Sequence, residues 1–328
     1  MQAIVLHQYG GPEVLQISEV PTPKPGADEV LVRVVGTALN RADLMQRMGM
    51  YPPPEPRPPF EIPGLECSGL VEEIGKDVKS WKPGDRVMAL LPGGGYAEYV
   101  TVPSSMLMPV PENLDLHEAA AIPEVFLTAY DALFHQGELQ KGEKVLIHAG
   151  GSGVGTAAIQ LAVQYGAWVS ATVGSLDKIA RIQELGAQHV VHYRSADFVE
   201  EIKRLVSGVD LVLDFVGGPY LQRNMDVCNQ RGRIVQIGLL GGARGEIDLN
   251  VLLFKRLKLI GTALRYRPLE EKIALTQKFI RTVLPLFAQG QIKPVIDRIL
   301  PLSEVAEAHR TMAENLNFGK IVLAVGEI

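Results

Sequence analysis

The chain has 328 residues, 47% of them hydrophobic, and 32 Lys and Arg against 37 Asp and Glu give a formal net charge of −5. That length and apolar content suffice for two cores, and an acidic chain without a long basic run is not expected to bind nucleic acid. Two cysteines, Cys67 and Cys228, are too few for a disulfide framework, residues 1–5 carry no charged leader, and no uncharged apolar run approaches the ~20 residues of a membrane span; a soluble, cytoplasmic protein is expected.

In chain order, the N-terminal third is a succession of short β-like runs at 29–35, 67–74, 86–91 and 96–102, punctuated by glycine and proline. Such strands predict a compact, barrel-like all-β domain. Between them, Tyr51-Pro52-Pro53-Pro54-Glu55-Pro56-Arg57-Pro58-Pro59 excludes helix interior and central strand, because proline has no amide to donate. A stiff surface loop is expected there. Helical patterns resume near Leu116 and over 126–135.

The most informative stretch follows. Lys144-Val145-Leu146-Ile147-His148-Ala149 is an apolar run that ends in Gly150-Gly151-Ser152-Gly153-Val154-Gly155, and a helical pattern starts at Thr156. Strand, tight turn and helix N-terminus together form the arrangement that cradles a dinucleotide pyrophosphate. Small residues let backbone amides approach the phosphates, and the helix macrodipole stabilises the negative charge. The fingerprint G-x-G-x-x-G is met imperfectly by Gly150, Ser152 and Gly155, with the serine hydroxyl available to a phosphate oxygen. His148, at the strand tip, is expected to be structural.

Five more apolar strands are predicted at 168–173, 189–193, 210–216, 232–238 and 258–264, with helices between the earlier ones, for example over 177–185 and 197–206. Strands alternating with helices imply a parallel sheet covered on both faces, here a doubly wound Rossmann α/β domain of six strands. No acid directly follows the second strand, where an NAD site holds the ribose; the segment reads Gly174-Ser175-Leu176-Asp177-Lys178. Ser175 and Lys178 suit a 2′-phosphate, whereas Asp177 argues the other way, and NADPH is the favoured cofactor. A long helical pattern at 269–289 and a terminal strand at 320–325 complete the chain.

Longer ordered motifs carry a resemblance. They are Ile62-Pro63-Gly64-Leu65-Glu66-Cys67-Ser68-Gly69 with Val71 and Gly75, Gly84-Asp85-Arg86-Val87, Ala119-Ala120-Ala121-Ile122-Pro123, and the glycine turn. Over essentially its whole length the chain resembles the medium-chain dehydrogenases/reductases, in the zinc-independent quinone oxidoreductase (zeta-crystallin-like) branch. The stretches 38–47 and 90–95 are similar to the tumour-suppressor-induced quinone oxidoreductase subgroup. The resemblance implies a GroES-like β-barrel catalytic domain from residues 1–124 and 266–328, with the Rossmann domain inserted at 125–265.

The zinc alcohol dehydrogenases of the same superfamily have Gly-His-Glu where this chain has Gly64-Leu65-Glu66, and their catalytic cysteine falls near Asn40. Leucine cannot coordinate a metal, and catalytic zinc needs about three protein ligands; no metal is expected. Glu66 then reads as a structural carboxylate and Cys67 as a small buried residue. Chemistry falls to the cofactor and to positioning, and a quinone, with two conjugated carbonyls, needs less electrophilic help than a ketone.

The resemblance implies that Asn40 and Thr128 contact the nicotinamide half, that Gly151, Ser152, Gly153 and Val154 line the pyrophosphate, and that Gly174, Ser175, Lys178 and Tyr193 surround the 2′-phosphate. Gly238 and Leu239, then Ala263, Leu264 and Arg265, lie where the dinucleotide crosses the ends of the fifth and sixth strands. The resemblance also implies that Lys320 closes the site from the catalytic domain. Tyr51, at the start of the proline loop, is the expected substrate contact, stacking on a quinone or bonding its carbonyl, with Asn40 as its catalytic companion. The alternatives are an enone or 2-alkenal double-bond reductase with the same cofactor pose, and an NADPH-binding redox sensor with little turnover. The apolar last strand is expected to pair two copies at the Rossmann sheet edge, leaving a tetramer open.

Overall fold

The computed structural model describes residues 1–53 and 57–325. Two compact units emerge, Met1–Leu127 with Arg265–Ile328, and Thr128–Leu264.

The first unit opens with a small antiparallel pair, β1 (Gln2–Val5) and β2 (Gln16–Glu19). The ten-residue β3 (Glu29–Ala38) is the hub, because three strands pair with it. One edge carries β4 (Glu66–Ile74), itself paired with β5 (Arg86–Leu90). The other edge is shared, β6 (Tyr99–Pro103) bonding to Glu29–Arg33. Between β3 and β4 runs α1 (Arg41–Arg47), started by a capping box in which the Asn40 amide donates to Asp43 Oδ2 at 2.7 Å. β7 (Met108–Pro109), α2 (Leu116–Ala120) and α3 (Pro123–Tyr130) complete the N-terminal portion, and one π-helical stretch, Asp131–Gln136, follows α3.

The second unit alternates strand and helix: β8 (Lys144–Ile147), α4 (Gly153–Gln164), β9 (Trp168–Val173), α5 (Lys178–Glu184), β10 (His189–His192), α6 (Phe198–Val206), β11 (Val209–Asp214), α7 (Gly218–Val227), β12 (Cys228–Gln236), α8 (Leu249–Lys255) and β13 (Lys258–Gly261). All pairings are parallel, in the order β10-β9-β8-β11-β12-β13. The chain winds outward from β8 and then starts again beside it at β11. That reversal is the topological switch point of a Rossmann sheet, where ligands bind beyond the strand ends. Its central strands β8, β9 and β11 are short, mostly apolar runs because both faces are buried, with Leu146, Val212, Phe198, Ile202 and Met225 in one cluster.

The chain then returns through α9 (Leu269–Thr282), α10 (Leu284–Ala288), β14 (Ile296–Pro301), α11 (Val305–Ala313) and β15 (Lys320–Ala324). β15 lies between β14 and the Gly36–Ala38 end of β3.

Several boundaries differ from the sequence reading. The single helix expected over 269–289 is two, because Pro285 has no amide to continue α9 and instead occupies the first turn of α10. β12 starts at Cys228, four residues before the expected run, and β13 stops at Gly261. The sequence pattern does not reveal β1, β2, α1, β14 or α11. Of the proline loop, residues 54–56 lie outside the described residues; Tyr51–Pro53 and 57–59 form neither helix nor strand.

Candidate active site and nucleotide cradle

The glycine turn has the geometry a pyrophosphate requires. Ser152 caps α4, its hydroxyl oxygen accepting from the Gly155 amide at 3.0 Å, while the hydroxyl hydrogen stays available to an anion. A Cβ on Gly155 would stand 2.4 Å from the Ala149 carbonyl oxygen, so the helix can approach the strand this closely only with glycine there. Ala149 adopts φ +50 to make the turn. The N-terminus of a 12-residue helix therefore opens beyond β8, with Gly151, Ser152, Gly153 and Val154 half-buried around it. These residues fit a dinucleotide.

At the end of β9, Gly174 and Ser175 are half-buried and Lys178 opens α5. The Tyr193 hydroxyl lies so close to Gly174 that a Cβ there would come within 2.7 Å of it. His192 holds this turn from the neighbouring strand, Nε2 against the Gly174 carbonyl at 3.2 Å and Nδ1 against Ser195 Oγ at 2.7 Å. Gly238 and Leu239 follow β12, and Ala263 and Leu264 follow β13; Leu239 is exposed, and Gln236 Nε2 donates to the Gly238 carbonyl at 2.6 Å. Thr128 is buried in α3.

At the switch point lies a polar relay that the sequence did not announce. Asp214, ending β11, accepts from the Val216 and Gly217 amides at 2.6 and 3.1 Å, and its other oxygen accepts from Asn224 Nδ2 at 3.0 Å. The Asn224 carbonyl oxygen consequently faces His148 Nε2 at 2.7 Å, which must donate, and Nδ1 accepts from Thr172 Oγ1 at 3.0 Å. Burial holds the His148 pKa down at about 4, against the raising effect of Asn224. His148 is a neutral, structural histidine.

In the first unit, Asn40, Glu66 and Lys320 meet. Lys320 Nζ donates to Glu66 Oε1 at 2.7 Å, to Asn40 Oδ1 at 2.6 Å and to the Leu39 carbonyl at 2.5 Å. Asn40 Nδ2 donates to the same Glu66 oxygen at 2.8 Å, and Glu66 Oε2 accepts from the Glu124 amide at 2.9 Å. All three side chains are buried. The Asn40 amide is thus committed on both sides. Beside it, Asp43 accepts from the Gly64 amide at 3.3 Å and from the Tyr96 hydroxyl at 3.1 Å, and that hydroxyl lies 3.4 Å from His309 Nε2. Burial pushes the Asp43 pKa up to about 6 although the Asn40 amide, Lys320 and Tyr96 pull it down. Burial depresses His309 to about 3.

Tyr51 and Arg265 are brought together, the guanidinium carbon lying 4.6 Å from the tyrosine ring centroid. Burial raises the Tyr51 pKa to about 12, with Arg265 opposing. Cys67 and Cys228 are both buried thiols raised to about 12 by desolvation, poor nucleophiles at neutral pH. No group of three or more His, Cys, Asp or Glu is placed to hold a metal ion among the described residues.

Residues 26–112 match the alcohol dehydrogenase GroES-like domain, and residues 185–323 match the zinc-binding dehydrogenase family. The chain is 34% identical to the human synaptic vesicle membrane protein VAT-1 homolog, over 99% of this chain and 87% of that protein. It is 32% identical to human quinone oxidoreductase, over 98% of this chain and 97% of that protein. It belongs to the medium-chain dehydrogenase/reductase superfamily, in its quinone oxidoreductase branch. It is therefore an oxidoreductase whose Rossmann unit serves a nicotinamide cofactor, and the GroES-like plus Rossmann architecture is the expected one. Among solved structures, an NAD-dependent alcohol dehydrogenase superposes with a TM-score of 0.89 at 35% identity, covering 99% of this chain and 100% of that one. The CurK enoyl reductase gives 0.88 at 29%, covering 99% of each chain. A mycobacterial protein complexed with NADPH gives 0.86 at 27%, covering 99% of this chain and 100% of that one. No helix among the described residues is long and apolar enough to cross a membrane.

Proposed function

We propose that this oxidoreductase reduces quinones with NADPH and without a bound metal. The observation that carries the reading is the Ser152-capped glycine turn, in a chain 32% identical to a protein named quinone oxidoreductase. When bound, the nicotinamide supplies the hydride. The chain's own residues do the rest. Gly151, Ser152, Gly153 and Val154 hold the pyrophosphate, and Gly174, Ser175, Lys178 and Tyr193 take the 2′-phosphate. Gly238, Leu239, Ala263 and Leu264 flank the crossing dinucleotide. Thr128 and Asn40 face the nicotinamide half, Asn40 held rigid by Lys320 and Glu66, and Tyr51 meets the acceptor. Position 65 carries leucine, which offers a metal no donor atom.

The test is nicotinamide oxidation by the purified protein with an ortho-naphthoquinone, NADPH and NADH compared directly. Saturable oxidation favouring NADPH is expected; tight NADPH binding without turnover would turn the reading towards a redox sensor. Similarity to a protein named enoyl reductase favours a second reading, reduction of activated alkenes, which turnover of an enone panel but of no quinone would establish. Lys178→Ala is expected to weaken NADPH binding about tenfold or more and leave NADH within about twofold, since it removes a charged partner of the 2′-phosphate. Equal loss for both cofactors, measured by titration, would remove Lys178 from cofactor choice.

Two copies are proposed to pair at β13, the last strand of its sheet. The neighbouring α8 exposes Leu249, Leu253 and Phe254, and Leu259 of β13 itself is exposed. Light scattering is expected to give twice the 35.7 kDa chain mass, and Leu259→Lys to return the monomer; a monomeric parent protein would sink the idea.

A further inference from the structure

Arg265 directly follows Leu264, and chain position alone assigns it to the dinucleotide. The structure gives its guanidinium other work. Nε donates to the Pro92 carbonyl at 2.9 Å, Nη1 to the Tyr51 carbonyl at 3.0 Å and Nη2 to Gln46 Oε1 at 3.2 Å. The residue is 7% exposed. One planar fork thus ties together the end of α1, the start of the proline loop and the turn after β5.

Tyr51 is held twice by that group, through its carbonyl and beneath its ring. Tyr266 holds it a third time, with ring centroids 5.6 Å apart edge to face, and the Tyr266 hydroxyl donates to the Pro52 carbonyl at 3.3 Å. Gln46 is itself oriented from behind. Its Nε2 donates to Glu61 Oε1 at 3.1 Å, and the other Glu61 oxygen accepts from the Tyr9 hydroxyl at 2.9 Å. With the amide nitrogen committed to a carboxylate, only the Gln46 oxygen is left to face Arg265.

We propose that Arg265 is a positioning residue for the acceptor: it fixes the ring of Tyr51 and thereby sets the preference for flat aromatic acceptors, and it is not a ligand of the dinucleotide. The proposal rests on the quinone reading for its substrate. A lysine keeps the charge but offers one compact nitrogen, which cannot serve three acceptors spread around a plane.

Arg265→Lys is therefore the probe. It is expected to raise KM for an ortho-naphthoquinone roughly tenfold while kcat and the NADPH Kd stay within about twofold, because the bonds lost act on the acceptor side alone. In a Tyr51→Ala background the same change is expected to have no further effect on KM. A weakened NADPH Kd that persists in that background would overturn the proposal and return Arg265 to the dinucleotide. A second readout is independent of turnover. In protein labelled with 3-fluorotyrosine, the Tyr51 resonance, assigned through Tyr51→Phe, is expected to be protected from a soluble paramagnetic agent and to lose that protection in Arg265→Lys. Unchanged protection would equally overturn it. Gln46→Met, which removes one of the three acceptors at similar volume, is expected to move both readouts the same way and serves if Arg265→Lys does not fold. If the parent protein reduces no quinone, the quinone reading fails while the protection measurement still judges the role of Arg265.

Discussion

Lys320→Met is expected to lower the unfolding free energy by about 3–5 kcal/mol, the range for stranding one member of a buried ion pair. Lys320 is 2% exposed and Glu66 0%, so water cannot take over the charge left behind. The ammonium makes three bonds, to Glu66, Asn40 and the Leu39 carbonyl, and methionine of similar length replaces none of them. The Glu66 carboxylate would keep Asn40 Nδ2 and the Glu124 amide, two neutral donors for a full charge. Urea denaturation measures the loss. Adding Glu66→Gln removes the stranded charge; its one oxygen still accepts from the Glu124 amide and its NH2 donates to Oδ1 of an Asn40 side chain turned over once Lys320 is gone, so the double variant is expected to recover more than half of the deficit. A Lys320→Met deficit below about 1 kcal/mol would show that the pair contributes no more than an exposed one does.

The second large effect is acid lability. His148 is neutral in the fold, its pKa about 4 against an ordinary 6.5. Its contribution is complete above pH 6.5 and is lost as pH falls towards 4, because below 6.5 the unfolded chain binds a proton that the folded chain refuses. At 1.36 kcal/mol per unit that is about 3 kcal/mol. His309, depressed to about 3, loses a similar amount over the same interval. Asp43 runs the other way. Its pKa is raised to about 6 from 3.8, so its contribution is complete below 3.8 and is lost as pH rises through 6, which returns about 3 kcal/mol on acidification. For these three groups the balance is a net loss of about 3 kcal/mol between pH 6.5 and 4. Urea midpoints across that interval are expected to fall in the parent protein and to stay nearly level in His148→Gln. Parallel slopes in the two proteins would mean that another group governs the acid limb.

What was legible in the chain was local. The strand, glycine turn and helix from Lys144 to Gln164 lie within one short segment, and both the missing side chains and the capping serine are visible in it. The alternation of the α/β half was equally open, because most of its short strands hold an apolar stretch, such as Val145–Ile147 and Leu211–Leu213, between helical patterns. Hidden were the pairings made only by folding. Tyr96 meets Asp43 across 53 positions, His309 across 213, and Arg265 reaches Gln46 across 219. No spacing rule links such residues, and each alone reads as an ordinary polar or aromatic position. The place of Arg265 after the last Rossmann strand is plain in the sequence, but its partners are not. Helical periodicity at 269–289 concealed the break at Val283, just ahead of Pro285, since the apolar pattern carries on across it.

The placement of β15 has a consequence for how the protein is made. Residues 320–324 fill the place beside the Gly36–Ala38 end of β3, between it and β14, and Lys320 neutralises a glutamate 254 positions upstream. On the ribosome, β3 and Glu66 emerge long before either partner exists, and the whole of Thr128–Leu264 is translated in between. The second unit holds all of its own strand pairings and can condense as it appears, whereas the first must wait with an open apolar edge and an unmatched charge. A nascent chain stalled before residue 320 is thus a vulnerable species, open to proteases and to association with its neighbours. The last strand of that sheet to be translated serves as its latch.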